Sequence, residues 1–566
     1  MVILGISCFY HDAAACILKD GEIIAATAEE RFTRKKHDNG FPRHAIDFCL
    51  RRAGISANEI DYIAFYEKPI LKFERIISQH LQHFPKSAKV YVESMGLWFN
   101  EKLQIKKLLE KEFYYHGKVV FIPHHLSHAA SAYYLSGFKK AAIVTIDGVG
   151  EWATTTMGFG EGPKIIIEKE IRFPHSLGLF YSAITTYLGF KANNDEYKVM
   201  GLAAYGSSKP FREKMDKLIS IYDNGSFALD MKYFDYTWAD YMVSKNLEKH
   251  FGYPKRTPES KVLPHHEDIA AALQAKLEEV ELNLLKSTYK KYRNQNLCLA
   301  GGVALNSVFN GKIVKKTPFK NVFIPPDPGD GGGAMGAAFY IHTKFSKKPI
   351  RGLSPYLGPD FAWYEIRKTL KQKGLSFKLY TNKEKLIDMV VEQLNKKKVV
   401  GWFQGRMEWG PRALGARSIL ADASDAKMKD TINAKVKKRE MFRPFAPVIL
   451  EDKVSDYFED FSKGVERLGN YMLLVLPFKD KGKKAAPATV HVDGTGRLQS
   501  IRRGDNPLYY DLVDAYMRKT GNPILINTSF NVRGEPIVCT PEDALNCFLA
   551  TEIDILVIGD FVVTKK

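Results

Sequence analysis

The sequence predicts an α/β fold in two parts, the first of them with a duplicated core. Three observations predict it. Short apolar strand-like runs alternate with helical periodicity, which is the pattern of an α/β chain. A strand, an acidic or glycine-bearing turn and a returning strand occur twice before residue 165. The basic residues also change character after about residue 360, where arginines beside Gly, Pro, Ser and Thr replace lysines on helix surfaces.

Val2 to Cys8 reads as a strand, FYHD as a polar turn, and Ala14 to Leu18 and Glu22 to Ala28 as a hairpin joined by Asp20-Gly21. The second copy runs Ala141 to Ile146, then Asp147-Gly148-Val149-Gly150, then Thr154 to Gly160. Glycine adds no side chain, so the backbone of such a turn can approach a phosphate closely. Asp147, Gly148 and Gly150 are therefore candidate nucleotide or phosphate residues. Between the copies, Phe41 to Gly54 and Phe99 to Phe113 look like packing helices, and PHHLSHAASAYYLSG, Pro123 to Gly137, reads as one short helix. His124 and His128 lie one turn apart on one face, which lets two imidazoles share a metal ion. The helix dipole predicts that both rings stay neutral. The alternative is a polar helix end with satisfied histidines.

Glycines in PHSLGLFYSAITTYLGF and EYKVMGLAAYG argue for close backbone approach, and residues 207–263 read as an inserted subdomain. His265 to Lys286 is a long amphipathic helix. Asn296 to Ala300 is a strand running into GGVALNS, where Gly301, Gly302 and Asn306 make a candidate anion or nucleotide pocket. The run Gly331-x-Gly333-x-x-Gly336 has the spacing of a dinucleotide fingerprint, but PPDPGD separates it from the preceding strand, so we reject that reading. Asp330 is better suited to complete a metal or phosphate site.

Residues 346–360, rich in Pro and basic residues, read as a linker between a first domain, 1–345, and a second, 361–566. The second domain carries GRMEWGPRALGARSIL, NAKVKKREMFRPFAP, TVHVDGTGRLQ and PILINTSFNVRGEPIV. Arg406, Arg412, Arg417, Lys437, Arg443, Arg497 and Arg533 sit in these turns, where cationic groups suit phosphate contacts. No GxxxxGK[ST] loop is present, so any ATP is held in another way.

At 566 residues, with 45% hydrophobic and 12% aromatic content, the chain reads as globular throughout. The formal net charge of +19 raises the chance of an anionic partner, but scattered lysines favour a phosphorylated small molecule, or only a lysine-rich proteome, over RNA. The six cysteines include no CxxC pair, so reduced buried thiols are expected. No basic leader or bilayer-length apolar run is visible, and a soluble cytoplasmic protein is expected.

Taken together, HHLSHAASAY, DGVGEW, PHSLGLFY, MGLAAYG, LAGGVALN, GDGGGAMGAA, GRMEWGPRALGARSIL, REMFRPFAP, VDGTGRLQ and LINTSFNVRGEPIV resemble the O-carbamoyltransferases of antibiotic and nodulation-factor biosynthesis. The resemblance implies an actin/hexokinase-like (ribonuclease H-like) first domain, related to tRNA threonylcarbamoyl-transfer enzymes, and a YrdC-like twisted-sheet second domain. It implies that carbamoyl phosphate and ATP give carbamoyladenylate in the second domain, and that the carbamoyl group then passes to a hydroxyl of a small molecule in the first. By motif, His124, His128 and Asp330 resemble ligands of a divalent metal, iron in the family, with magnesium accompanying ATP; Asp147 could ligate the metal or position phosphate. His11 and Asp12 match a pair beside the acceptor, and either could serve as general base. Arg412, Lys437, Arg443, Arg497, Ser529, Asn531 and Arg533 resemble the carbamoyl phosphate and ATP pocket. Two other readings compete: a tRNA-modifying enzyme of the same fold, favoured by net charge, and a non-catalytic actin-like nucleotide sensor, which would need neither HxxxH nor the arginine turns. The acceptor and the oligomeric state are not legible.

Overall fold

Strand order in two small sheets repeats, and that repeat positions the first site. A computed structural model describes residues 1–346, 348–440 and 442–565; residue 347 of the expected linker and residue 441 of REMFRPFAP lie outside these. The chain forms two compact units, Met1–Ala25 with Asn39–Gly352 and Ala26–Asp38 with Leu353–Lys566.

The first unit contains β1 (Val2–Ser7), β2 (Ala14–Lys19), β3 (Glu22–Ala28, whose last residues group with the second unit), β4 (Tyr62–Phe65) and β5 (Lys118–Phe121) in the order β3-β2-β1-β4-β5. Its second sheet comprises β6 (Lys140–Ile146), β7 (Ala153–Glu161) and β8 (Lys164–Arg172); after a two-stranded hairpin of β9 (Ile219–Ile221) and β10 (Phe227–Leu229) come β11 (Asn296–Ala300) and β12 (Asn321–Phe323). Read from β8, the order β8-β7-β6-β11-β12 reproduces the first sheet. In both sheets the founding strand pairs antiparallel with the next strand and parallel with the later one, as in β1 with β2 and β4, and β6 with β7 and β11. This is the duplicated core that the two hairpins predict. β1 is buried along its whole length, which explains its uninterrupted apolar run.

Helix α1 (His124–Ser136), α2 (Pro264–Tyr292) and α3 (Asp330–Phe345) complete the frame. α1 stops at Gly137, which adopts φ 74°. The glycines of GDGGGAMGAA serve packing. A Cβ at Gly336 would stand 1.9 Å from the Ser127 carbonyl oxygen of α1, and one at Gly5 of β1 would stand 1.9 Å from the Ala334 carbonyl oxygen of α3. Only hydrogen at these positions lets α3 lie against both α1 and β1. Its first residue is thereby brought beside the start of α1 and the carboxyl end of β6. Residues 207–263 hold the β9–β10 hairpin, short 3-10 turns and a helix at Lys245–Phe251.

The second unit is built on a nine-stranded mixed sheet of β13 (Phe377–Leu379), β14 (Val400–Phe403), β15 (Arg417–Asp422), β16 (Ala446–Leu450), β17 (Leu474–Pro477), β18 (Thr495–Ile501), β19 (Leu525–Ser529), β20 (Ile555–Ile558) and β21 (Phe561–Thr564). Their order is β13-β21-β20-β14-β15-β19-β16-β18-β17, the twisted α/β sheet expected after the linker. Helices Lys383–Asn395 and Pro507–Thr520 pack Leu386, Val390, Leu394, Leu512 and Tyr516 on Trp402, Leu420, Val448 and Leu525. Among the described residues, no helix is long and apolar enough to cross a membrane.

Candidate metal centre and phosphate site

α1 begins where two carboxylates meet it. The Glu151 carboxylate accepts hydrogen bonds from the amides of His124, at 3.0 Å, and Lys68, at 2.8 Å, so a negative charge caps the helix N-terminus and fixes where its histidines start. His124 Nε2 and His128 Nε2 lie 3.1 Å apart. Asp147, the residue after β6, has Oδ2 at 2.8 Å from His124 Nε2 and 3.4 Å from His128 Nε2; Oδ1 of Asp330, which opens α3, lies 3.6 and 3.5 Å from the same atoms. All four residues are buried, and one ligand atom from each lies within 4.8 Å of the others. Ligands bound to one divalent ion at about 2.0–2.2 Å are spaced by about 3 Å, so this set fits a shared ion. Asp330 Oδ2 and His124 Nδ1 are buried atoms without a hydrogen-bond partner, the latter 4.0 Å from Glu67 Oε2. Two imidazoles with two carboxylates suit a borderline ion such as iron, cobalt or zinc.

The expectation of two neutral rings holds for one of them. Burial lowers the pKa of His124 to about 3, whereas at His128 burial is outweighed by hydrogen bonds and attraction from Asp147 and Asp330, which raise it to about 10. Without a cation the cluster thus holds one proton on His128, shared with Asp147 and Asp330, while His124 stays neutral. The helix dipole is too weak to oppose two buried carboxylates at hydrogen-bonding distance. His125, between them in sequence, is structural: its Nε2–H donates to the Ala153 carbonyl at 2.9 Å, its Nδ1 accepts from the Thr145 hydroxyl at 2.6 Å, and burial lowers its pKa to about 4.

The glycines divide into two roles. Gly301, at φ 95°, passes the Ile146 carbonyl, and Gly302 donates its amide to Asp147 Oδ1 at 3.0 Å. A Cβ at Gly150 would meet His124, while Gly148 is open, with Tyr10 Oη nearest at 3.7 Å. Asn306 accepts from the Phe309 amide and bonds Gln274 on α2, so its side chain caps a helix turn. His11 follows β1. Its Nδ1 is 2.7 Å from Asp12 Oδ2 and its Nε2–H donates to the Asn193 carbonyl at 2.5 Å; despite the cost of burial, Asp12 raises its pKa to about 10. At neutral pH His11 is therefore held as a cation beside Asp12. Asp327, which carried no signal of its own, is pushed up to about 7 by burial and by Asp12 and Asp330.

In the second unit, the side chains of Gln499 and Asn527 fix one face of β18, β16 and β19. Asn527 donates to Gln499 Oε1 at 2.5 Å and to the Ala413 carbonyl at 3.0 Å, and Gln499 donates to the Leu414 carbonyl at 3.0 Å. Arg497 and Ser529 lie two residues along from these, hence on the same face, and Arg412 immediately precedes the bonded carbonyls. Lys437 is buried; its Nζ donates to Ser529 O, to Asn531 O at 3.0 Å and to Asn531 Oδ1 at 2.8 Å, and burial pushes its pKa well down. Arg443 and Arg533 flank Glu440 at 3.4 and 3.5 Å. The fold thus brings Lys437 to Ser529 and Asn531 and sets Arg443 and Arg533 on either side of Glu440, while Arg497 shares the Ser529 face. Two of the turn arginines serve otherwise. Arg417 is fully buried, donates to the carbonyls of Gln404, Gly405, Ala416 and Pro359, and stacks on Phe403 at 3.6 Å; Arg406 donates to Leu357 O at 2.6 Å. Sequence reasoning also missed Glu408, whose buried carboxylate accepts the amides of Leu414, Ala416 and Arg417 and shapes the turn that carries Arg412.

Residues 2–339 match the family model described as carbamoyltransferase N-terminus, and residues 391–565 match that described as carbamoyltransferase C-terminus. The chain belongs to the carbamoyltransferase family. This carbamoyltransferase is 44% identical to the uncharacterized protein sll1178 of Synechocystis, over 100% of this chain and 96% of that protein. It is 37% identical to the nodulation protein NolNO of Sinorhizobium fredii, over 99% of this chain and 79% of the relative. Among solved structures it is similar to the ROK hexokinase of Thermus thermophilus (14% identity, 60% of this chain and 98% of that one, TM-score 0.27) and to HypF of T. kodakarensis (13% identity, 62% and 49%, TM-score 0.31). Those scores are too low to argue from, and the fold rests on the repeated strand order.

Proposed function

We propose that the protein is an ATP-dependent O-carbamoyltransferase that forms carbamoyladenylate in its second unit and delivers the carbamoyl group to a hydroxyl of a small molecule in its first. What supports this reading is Lys437 bonded to Asn531, Arg443 and Arg533 paired with Glu440, and Arg497 on the Ser529 face of the sheet, in a sequence without a Walker loop. Carbamoyl phosphate and ATP bring four phosphorus atoms and the adenylate keeps one. The other three leave as phosphate and pyrophosphate. Water therefore cleaves carbamoyl phosphate to carbamate, and a carbamate oxygen attacks the α-phosphorus of ATP. The negative charge that develops on the departing pyrophosphate is what fixed guanidinium groups and a lysine stabilise. A lysine whose pKa burial has lowered regains its proton's full benefit once a polyanion is bound.

In the first unit the acceptor hydroxyl attacks the carbamoyl carbon, AMP departs, and Asp12 receives the hydroxyl proton while cationic His11 holds its carboxylate in place. A divalent cation held by His124, His128, Asp147 and Asp330, iron in our reading, would supply positive charge to the nucleotide phosphate. The backbone at Gly148 is open beside this cluster, where a phosphate can approach, while the Gly302 amide holds Asp147 in place. The reading is tested by incubating the protein with ATP and magnesium and following pyrophosphate. Release should require carbamoyl phosphate; equal release without it, or none with it, would reject the adenylate step.

A further inference from the structure

Thirteen residues from the amino-terminal part of the chain, Ala26–Asp38, fold as part of the second unit. They form a one-turn helix, Glu30–Thr33, closed by Arg34 at φ 59°. Three of its side chains, Arg31, Phe32 and Arg34, reach loops that carry proposed phosphate residues. Arg34 donates from its two terminal nitrogens to the carbonyls of Pro536, at 2.8 Å, and Ile537, at 2.7 Å, and its Nε lies 3.5 Å from Asp543 Oδ1. Pro536 and Ile537 are buried, so these carbonyls have no water to turn to. Arg31, also buried, donates to the Gly410 carbonyl at 2.9 Å, two residues before Arg412. Phe32 packs on the cluster of Met407, Ala413, Ile537 and Cys539, which joins the two loops.

The 530–538 loop depends on these contacts. It is closed at its base by the Val538 amide to the Phe530 carbonyl at 2.9 Å, and across its tip by Asn531 Nδ2 to Glu535 O at 2.7 Å. Asn531 and Arg533 ride on that tip, where Asn531 meets Lys437 and Arg533 meets Glu440. The carbonyls clamped by Arg34 lie between tip and base. Asp543, the remaining Arg34 partner, receives the amides of Cys539 and Thr540 and so fixes the start of the following helix. A planar guanidinium can bond two adjacent carbonyls and a carboxylate at once; an ammonium cannot hold that fork.

We propose that Arg34, supported by Arg31 and Phe32, is a positioning residue of the carbamoyl phosphate and ATP site, holding the loop that presents Asn531 and Arg533. This rests on the proposed function for its chemical readout. The residues that assemble the second unit's site thus come from both ends of the sequence, and residues 353–566 alone lack the clamp.

The test uses the full chain with Arg34→Ala and Arg34→Lys. Hydrogen exchange of the 530–538 amides reads the clamp without any chemistry: both variants should lose protection there by at least tenfold while β16 and β18 keep theirs. In carbamoyl phosphate-dependent pyrophosphate release, KM for carbamoyl phosphate should rise at least tenfold in both variants, more than kcat falls. Methylguanidinium at millimolar concentration should restore Arg34→Ala towards the parent and leave the parent unchanged. Unchanged protection in 530–538 overturns the clamp. Lost protection with unchanged KM, or loss spread evenly through the second unit without rescue, overturns the positioning role. If the unmodified protein releases no pyrophosphate, the proposed function fails, and the clamp then stands or falls on the exchange data and on ATP binding by the parent against Arg34→Ala.

Discussion

A cation entering the His124, His128, Asp147 and Asp330 cluster has to displace a proton. His128 holds that proton because Asp147 and Asp330 accept from it, with a pKa of about 10 in the cation-free chain. At pH 7 its removal costs about 4 kcal/mol, taking about 1.4 kcal/mol for each pH unit below the pKa. That is roughly a thousandfold in apparent affinity. The sign follows from linkage: binding needs the neutral ring, so affinity rises with pH while the cluster remains protonated, by about tenfold per unit from pH 7 to 9. Calorimetric titration with Co2+ in two buffers of different ionisation enthalpy counts the protons, and close to one per ion should be released at pH 8. In His128→Gln the proton release should vanish together with most of the affinity. Affinity that is flat from pH 7 to 9, with no proton released, would refute the shared-proton description of this cluster.

Three further outcomes follow from packing and protonation. Gly336→Ala places a methyl group 1.9 Å from the Ser127 carbonyl oxygen, so the chain should lose roughly 1–3 kcal/mol or more and melt several degrees lower, and its metal content should fall because Ser127 lies between the two ligand histidines. His125, whose pKa is lowered to about 4, cannot take the proton that it accepts near 6.5 when unfolded, so the unfolded chain binds more protons between these values and stability falls as pH drops from 6.5 to 4, by about 3 kcal/mol; His125→Gln should show a shallower loss in acid denaturation. Arg417→Lys leaves buried carbonyls of Gln404, Gly405, Ala416 and Pro359 short of donors at roughly 1–3 kcal/mol each, and should lower the melting temperature with little change in KM for carbamoyl phosphate.

The parts of this molecule that were legible in the sequence are those with a local cause. The α1 helix follows from small residues at helical spacing and a closing glycine, and the paired hairpins announce the repeated sheets. Asp330 was found because a carboxylate before a glycine-rich helix start is unusual. The sequence leaves Asp147 open between ligating metal and positioning phosphate; its closest partners are the two histidines, since pairing β6 with β11 and seating α3 on β1 decides which turn reaches α1. Glu151 caps a helix that starts before it in the chain, and no spacing rule encodes such a contact. Arg412 and Arg417, five residues apart in one turn, looked alike; burial of Arg417 against Phe403 and four carbonyls separates them, and burial at that scale is a property of the sheet. The Ala26–Asp38 segment carries no sequence signal for the same reason: its arginines find their acceptors in loops more than 370 residues away.

The central claim is that each unit owns one half-reaction, with the phosphate-binding cations in the second and the histidine–carboxylate cluster in the first. Pyrophosphate release and carbamoyl delivery from supplied carbamoyladenylate to an alcohol, both measured in Arg443→Ala and His128→Ala, test it directly. Losing a charge-assisted bond to phosphate is worth about 1.5–3 kcal/mol, so Arg443→Ala should slow pyrophosphate release by about ten- to a hundredfold and leave delivery intact. His128→Ala should release pyrophosphate at close to the parent rate and deliver no carbamoyl group. Equal loss of pyrophosphate release in both variants would contradict the account, because the two steps would then share one site.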